Sequence, residues 1–299
     1  MHIPSNGIEI ELDDQGLAGG EPIVLIMGLG MQLIAWPDEL VQQLVSRGFR
    51  VLRIDNRDAG LSTHLDHLGA PNVAWAALRH AMHLPVASPY GIADMAADTL
   101  GVLDALGLRQ VHVCGASMGG MIAQHIAAKH PERVKTLTLI MTTTGARRLP
   151  QARSNVRRAL LSRPTGKDEA AIVAHMSRLW RVIGSPAYPP TPERLRERLT
   201  QSVRRAWRPA SVSRQLVAIA ADGDRSAMVQ SIRVPTRVIH GADDPLVPVA
   251  AGHDLAARIA GAVIDIVPGM GHDLPVELLP RFAEGIAQNA ARAAQAAAA

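Results

Sequence analysis

Aromatic side chains are scarce in this chain. Of its 299 residues, two are Phe, two Tyr and four Trp, so the core has to be built from Leu, Ile, Val, Met and Ala. Cysteine is scarcer still. Cys114 stands alone, which excludes an intrachain disulfide and fits a reducing compartment. Long apolar runs are also missing: no segment approaches the roughly 20 residues a membrane-spanning helix needs. No stable membrane insertion is expected. The N-terminal stretch carries Glu9, Glu11, Asp13 and Asp14 ahead of its first continuous apolar run, unlike a cationic secretion signal, and the protein is read as cytoplasmic.

Charge is present but unevenly spread. The net value is +4, yet residues 147–214 hold sixteen Lys/Arg against four Asp/Glu, which makes +12 there and −8 elsewhere. A break this sharp marks a compositionally distinct insertion. Solvated faces of amphipathic helices explain such arginines most simply, with an anion-attracting lid as the sharper alternative. No aromatic–basic RNA motif or DNA-reading module accompanies them, so nucleic acid is not expected as a partner.

Outside that stretch, strand-like and helix-like segments alternate. Strands are predicted at Ile8–Leu12, Ile23–Met27, Arg50–Ile54, Val111–Cys114, Val134–Met141, Thr236–His240 and Val263–Val267, several of them continuous apolar runs of the kind buried parallel strands show. Helical patterns cover Pro37 to near Arg47, Asp94–Leu106 and Met118–Lys129, and others start at Ala250 and near Pro275. Asp13–Glu21 is read as turn, and residues 63–90 as a long excursion without assigned elements. Residues 151–162, 168–183, 192–206 and 210–221 read as helices with no strand among them. The alternation predicts a doubly wound, mostly parallel α/β sheet. Residues 1–145 and 231–299 form its core, and 146–230 an inserted helical cap over the C-terminal strand ends. The alanine-rich tail, 289–299, either extends the last helix or frays, and is given no function.

Three segments carry chemistry. Residues 115–119 read Gly-Ala-Ser-Met-Gly between a β-branched run and a helical pattern, the strand–turn–helix context of a nucleophile elbow. Such a turn lifts the Ser117 hydroxyl clear of the sheet, and small residues let strand and helix approach. A serine needs a base, and the base an orienting acid. After 236–240 comes Gly-Ala-Asp-Asp-Pro, which offers Asp243 and Asp244; after 263–267 comes Pro-Gly-Met-Gly-His-Asp, which offers His272.

With this order of Ser, Asp and His, the chain resembles an α/β-hydrolase of the serine-esterase kind along nearly its whole length. The resemblance implies the α/β-hydrolase fold, Asp244 rather than Asp243 as triad acid, and His272 as base. It also implies an oxyanion hole made by the N–H groups of Met118 and Leu29, although Met27-Gly28-Leu29 stands where the family commonly has His-Gly-x. Asp55–Ser62 is similar to the family's D-x-R-G-x-G-x-S turn, with Asp58 replacing its first glycine; Asp55, Arg57 and Ser62 are expected to pin that loop. Together with Trp36-Pro37-Asp38-Glu39, these segments resemble methylesterases of aclacinomycin-type anthracyclines.

The expected function is a serine hydrolase that cleaves carboxylic esters through an acyl-enzyme, acting on a small-molecule ester without metal or organic cofactor. Lactone hydrolysis, carbon–carbon cleavage and peracid formation are alternatives on the same triad, and a ligand-binding protein that keeps the fold is another. Ser117 argues against dehalogenases and epoxide hydrolases, whose nucleophile is Asp. Asp273 stands where carbon–carbon hydrolases often carry Trp. The pairs His64/His67 and His80/His83 have metal-compatible spacing, but no Cys or acidic cluster joins them. Trp75, Trp180, Tyr188, Trp207 and Val247 are candidates for the substrate pocket, with packing within the cap the plainer role for the aromatics. Self-association into a homo-oligomer is compatible with the sequence.

Overall fold

Asn6 and Gly7 both take positive φ, 49° and 79°, as a two-residue type I′ hairpin requires. They fold β1 (His2–Ser5) antiparallel onto β2 (Ile8–Gln15). This hairpin was legible in Asn-Gly and absent from the sequence reading, which also stopped β2 at Leu12. The strand runs on because Asp13 and Asp14 pair with Arg53 and Arg50 of the neighbouring strand. In the computed structural model, which describes residues 1–298, six further strands lie parallel. They are β3 (Glu21–Ile26), β4 (Phe49–Ile54), β5 (Val111–Ala116), β6 (Val134–Ile140), β7 (Thr236–Gly241) and β8 (Val263–Val267). The order across the eight-stranded sheet is β1-β2-β4-β3-β5-β6-β7-β8. It is a mostly parallel α/β sheet.

Helices cover both faces. In chain order they are α1 (Asp38–Val45), α2 (Val73–Ala81), α3 (Ile92–Ala105), α4 (Met118–Lys129), α5 (Ser154–Leu160), α6 (Glu169–Ile183), α7 (Pro192–Arg205), α8 (Pro209–Asp222), α9 (Ser226–Val229), α10 (Ala250–Arg258) and α11 (Leu279–Ala298). Successive β3 side chains point to opposite faces. Val24 and Ile26 pack with Val102 of α3, Ile122 of α4 and Leu255 of α10. Ile23 and Leu25 pack with Leu40 of α1 and Phe282 of α11. Burial on both faces explains why these strands read as unbroken apolar runs. No helix among the described residues is long and apolar enough to cross a membrane.

Helices α5–α8 separate β6 from β7, whereas α9 already packs on α4 and α10, with Val229 in the core. The 63–90 excursion contains α2, capped by the Asn72 side chain accepting from Trp75 N–H at 2.9 Å, and α2 packs against α8. The sequence reading passed over this helix; Asn72 was its start signal.

The uneven charge has a structural reason. Arginines of the inserted helices meet carboxylates of the sheet domain: Arg205 with Asp55 at 2.7 Å, Arg194 with Glu39 at 2.6 Å and Arg214 with Asp58 at 2.8 Å. Both side chains of the Arg214–Asp58 pair are fully buried. Asp58 sits at φ 65°, in the place where the related turn has glycine. Burial works against its charge, but Arg214, Leu65 N–H and the Tyr90 hydroxyl outweigh it and hold the carboxyl below the usual range.

A native pKa below the unfolded one stabilises fully above the unfolded value, near about 4, and the contribution is lost as pH falls through the lowered value. Arg214→Met strands the Asp58 carboxylate and should cost about 3–5 kcal/mol near neutrality. Urea unfolding from neutral to acid pH should show the gap between wild type and Arg214→Met narrowing as Asp58 protonates; a pH-independent gap contradicts the assignment.

Candidate active site

The turn from β5 into α4 is strained. Ser117 lies at φ 54°, ψ −119°, a region that non-glycine residues rarely occupy. It is held from several sides. Ser117 N–H donates to Ile140 C=O at 3.0 Å, and its own C=O accepts from Gly120 N–H at 2.9 Å and from the Thr142 hydroxyl at 2.6 Å. A Cβ on Gly119 would lie 2.0 Å from the Ile26 carbonyl oxygen, and one on Gly115 2.2 Å from that of Gly119. Helix, turn and β3 meet so closely that no side chain fits.

Beyond β8, a turn through Gly269 (φ 73°) brings His272 over the sheet edge. The end of α6 and the segment after it hold this turn: His272 N–H donates to Ile183 C=O at 2.7 Å, and Gly271 N–H to the Ser185 hydroxyl at 2.8 Å. That hydroxyl in turn donates to the Asp273 carboxylate. Burial pushes the Asp273 carboxyl above its ordinary range, although Ser185 and Arg198 oppose the shift.

Asp244 follows β7. Its Oδ1 accepts from Leu246 and Val247 N–H at 2.9 and 2.8 Å, and its Oδ2 meets His272 Nδ1 at 2.7 Å. His272 Nε2 lies 3.0 Å from Ser117 Oγ. With Nδ1–H donating to the carboxylate, Nε2 carries the lone pair that faces the hydroxyl. Behind the acid, buried His240 donates through Nε2 to Val247 C=O at 2.8 Å, and burial lowers its pKa.

The loop after β3 runs beside Ser117. Gly28 would place a Cβ 3.0 Å from Ser117 Cβ and 3.5 Å from its Oγ. Gly28 C=O accepts from Met31 N–H at 3.1 Å, and Gly30 has φ 65°. Leu29 sits inside this turn and Met118 opens α4; neither N–H donates to another group among the described residues. Asn56 ties the loop down by donating to Met27 C=O at 2.9 Å. Around it, Asp55 accepts from Leu33 and Leu61 N–H, the Ser62 hydroxyl donates to Asp55 C=O, and Arg57 pairs with Asp98. Asp243 is exposed and accepts from Gly269 N–H.

The aromatic candidates scatter. Trp75 is 54% exposed on α2, beside the Arg79 guanidinium. Trp180 packs between α6 and α7 under Arg198, 4.6 Å from its ring centre. Tyr188 packs on the core near Val267 and Met270. Trp207 lines an open groove of about 400 Å³ with Leu61, His64 and Arg205, and a small hollow of about 30 Å³ beside Gly30, Met176 and Val212. Val247 contributes its backbone to the Asp244 turn rather than a side chain to either cavity. Thr142, Ser185 and His240 went unmarked in the sequence; Ser185 and Asp273 are 88 residues apart, and no local pattern joins them.

Comparison with known proteins places the fold. Residues 21–277 match the family described as alpha/beta hydrolase fold. Rhodomycin D methylesterase DauP of Streptomyces sp. (strain C5) is 28% identical over 93% of this chain and 94% of its own. A 2-hydroxy-6-oxononadienedioate/2-hydroxy-6-oxononatrienedioate hydrolase of Cupriavidus pinatubonensis is 29% identical over 88% and 84%. The enol-lactonase from Burkholderia xenovorans LB400 superposes with a TM-score of 0.75 at 25% identity, covering 97% of this chain and 99% of that one.

The glycine contacts make a graded prediction. Gly119→Ala drives a methyl into backbone that cannot yield and should cost more than about 3 kcal/mol or prevent folding. Gly28→Ala meets the edge of Ser117 and, at ordinary contact distance, the Ala116 carbonyl oxygen; it should fold, yet slow phosphonylation of Ser117 by a fluorophosphonate about 100-fold through misplacement of the hydroxyl. Equal labelling of Gly28→Ala and wild type contradicts the close approach.

Proposed function

Because the chain belongs to the α/β-hydrolase family, we propose that it is a serine hydrolase that cleaves carboxylic esters of small molecules through an acyl-enzyme. One observation carries the reading: the unbroken relay from Ser117 Oγ to His272 Nε2 at 3.0 Å and from His272 Nδ1 to Asp244 Oδ2 at 2.7 Å. Ser117 attacks the ester carbonyl while His272 takes its proton; His272 then returns that proton to the leaving alcohol. Asp244 holds the imidazole in the correct tautomer and stabilises its cation. Its two backbone donors leave Oδ2 turned to the ring. Water, activated by the same histidine, releases the acid.

The tetrahedral oxygen is received by the N–H groups of Met118 and Leu29. Helices α5–α8, within residues 146–230, serve as the cap. The rhodomycin D methylesterases at 28% identity support a methyl ester as the group cleaved. The enol-lactonase supports a cyclic ester as an accessible variant of the same chemistry.

Hydrolysis of p-nitrophenyl acetate tests the assignment. Ser117→Ala should abolish the burst of p-nitrophenol and the acyl adduct seen by mass spectrometry, and Asp244→Asn should lower kcat by about 10⁴. If wild type and Ser117→Ala are equally inert toward a panel of methyl esters and lactones, the hydrolase reading gives way to a ligand-binding one.

A further inference from the structure

The loop that carries Leu29 is braced from the inserted helices as well as from the core. Gly30 N–H, one peptide beyond Leu29, donates at 2.7 Å to Oε1 of Gln215. Gln215 lies on α8, is fully buried, and donates through Nε2 to Arg57 C=O at 2.9 Å. Both ends of the amide are therefore satisfied, and the two partners fix its orientation, since a flipped amide would face N–H with N–H. A buried amide is costly unless both its ends are paired, and a leucine could fill this space without that demand.

We propose that Gln215 is a positioning residue for the oxyanion hole, supplied by the cap rather than the core; the inference rests on the hydrolase reading above. Gly28–Met31 is a β-turn with positive φ at Gly30, as a type II turn requires. Its central peptide, between Leu29 and Gly30, could otherwise turn over toward the type I arrangement. Gln215 Oε1 holds the N–H of that peptide and so fixes the turn in place against α8, and with it the neighbouring peptide that carries the Leu29 N–H. A second contact sets the distance: a Cβ on Gly30 would lie 2.9 Å from Val212 Cγ2, one turn earlier on α8. The adjacent Arg214 anchors the same helix through Asp58, and Gln32, at the far end of the loop, donates to Ser202 C=O at 2.7 Å and Ala206 C=O at 2.9 Å. Asn56 is the core's tie to this loop; the grip on the peptide beside Leu29 belongs to α8.

Gln215→Met, which keeps length but removes both hydrogen bonds, tests this with p-nitrophenyl acetate and with phenylboronic acid, whose tetrahedral serine adduct mimics the transition state. We expect kcat to fall roughly 10- to 100-fold, less than loss of a whole oxyanion donor, with KM moving less than about threefold. Phenylboronic acid should weaken by a factor similar to kcat. Gln215→Glu keeps an acceptor for Gly30 N–H and should retain more of kcat than Gln215→Met, whereas a purely structural role would leave boronate inhibition unchanged in the folded fraction of either variant.

An unchanged kcat in Gln215→Met, a kcat loss without weaker boronate binding, or a Glu variant as slow as the Met variant would each overturn the inference. Ser117→Ala assayed alongside separates the two failures. A rate indifferent to Ser117→Ala sinks the hydrolase reading and this inference with it, while an active wild type with an indifferent Gln215→Met sinks this inference alone.

Discussion

The backbone at Ser117 is the constraint around which the rest is arranged. Its positive φ costs of order 1–3 kcal/mol, and the conformation persists because neighbours on three sides leave no alternative. β6 accepts the serine N–H, Thr142 and α4 occupy its carbonyl, and Gly115 and Gly119 allow the helix against β3 at a separation that excludes any Cβ. Strand order follows from the same requirement. With β3 and β6 flanking β5, the loop of Gly28 and Leu29 comes to one side of the hydroxyl and the turns after β7 and β8 to the other.

Much of this was legible in the chain and some was not, for physical reasons that can be named. Parallel strands buried on both faces announce themselves as apolar runs, so Ile23–Ile26 and Val111–Ala116 were found within a residue or two. Asn6-Gly7 carried a hairpin signal that was overlooked because the short strand before it is polar and contains Pro4. Asp13 and Asp14 read as turn residues because their cross-strand arginines, Arg50 and Arg53, lie 36 and 40 residues away. The residues flanking the Ser117–His272 pair were legible through motif, whereas Thr142, Ser185, His240 and Gln215 act through contacts between distant segments and carry no local mark. The aromatic residues were conspicuous through scarcity alone: Trp75 lies on the surface, and Trp180 packs between two helices, the plainer of the two roles the sequence offered.

Charge segregation along the chain becomes complementarity in space. The +12 of residues 147–214 is set against carboxylates at Glu39, Asp55, Asp58 and Asp66, so much of the apparent basicity is spent within the molecule. Asp55 and Asp58 illustrate how differently two buried carboxylates can fare. Arg214, Leu65 N–H and the Tyr90 hydroxyl together overcome the burial of Asp58 and lower its pKa. Burial wins at Asp55, whose pKa is raised despite Leu33 N–H, Leu61 N–H and Arg205. A raised native pKa costs stability at neutral pH, so Asp55 is held for what it organises, the two loops at Leu33 and Leu61, rather than for its pairing energy.

The inserted helices consequently do more than cover the sheet. From the end of α6 comes Ile183 C=O, and from the segment just after it the Ser185 hydroxyl, both to the turn that carries His272; from α8 comes Gln215 to the loop that carries Leu29. These two grips fall on the turns either side of Ser117, those of His272 and Leu29, and Arg214–Asp58 fixes α8 between them. Separating that pair would strand a charge with no water to receive it, at about 3–5 kcal/mol. A helix so anchored keeps its register on the core, and geometry it imposes on the Gly28–Met31 turn is therefore as permanent as geometry imposed by the sheet itself.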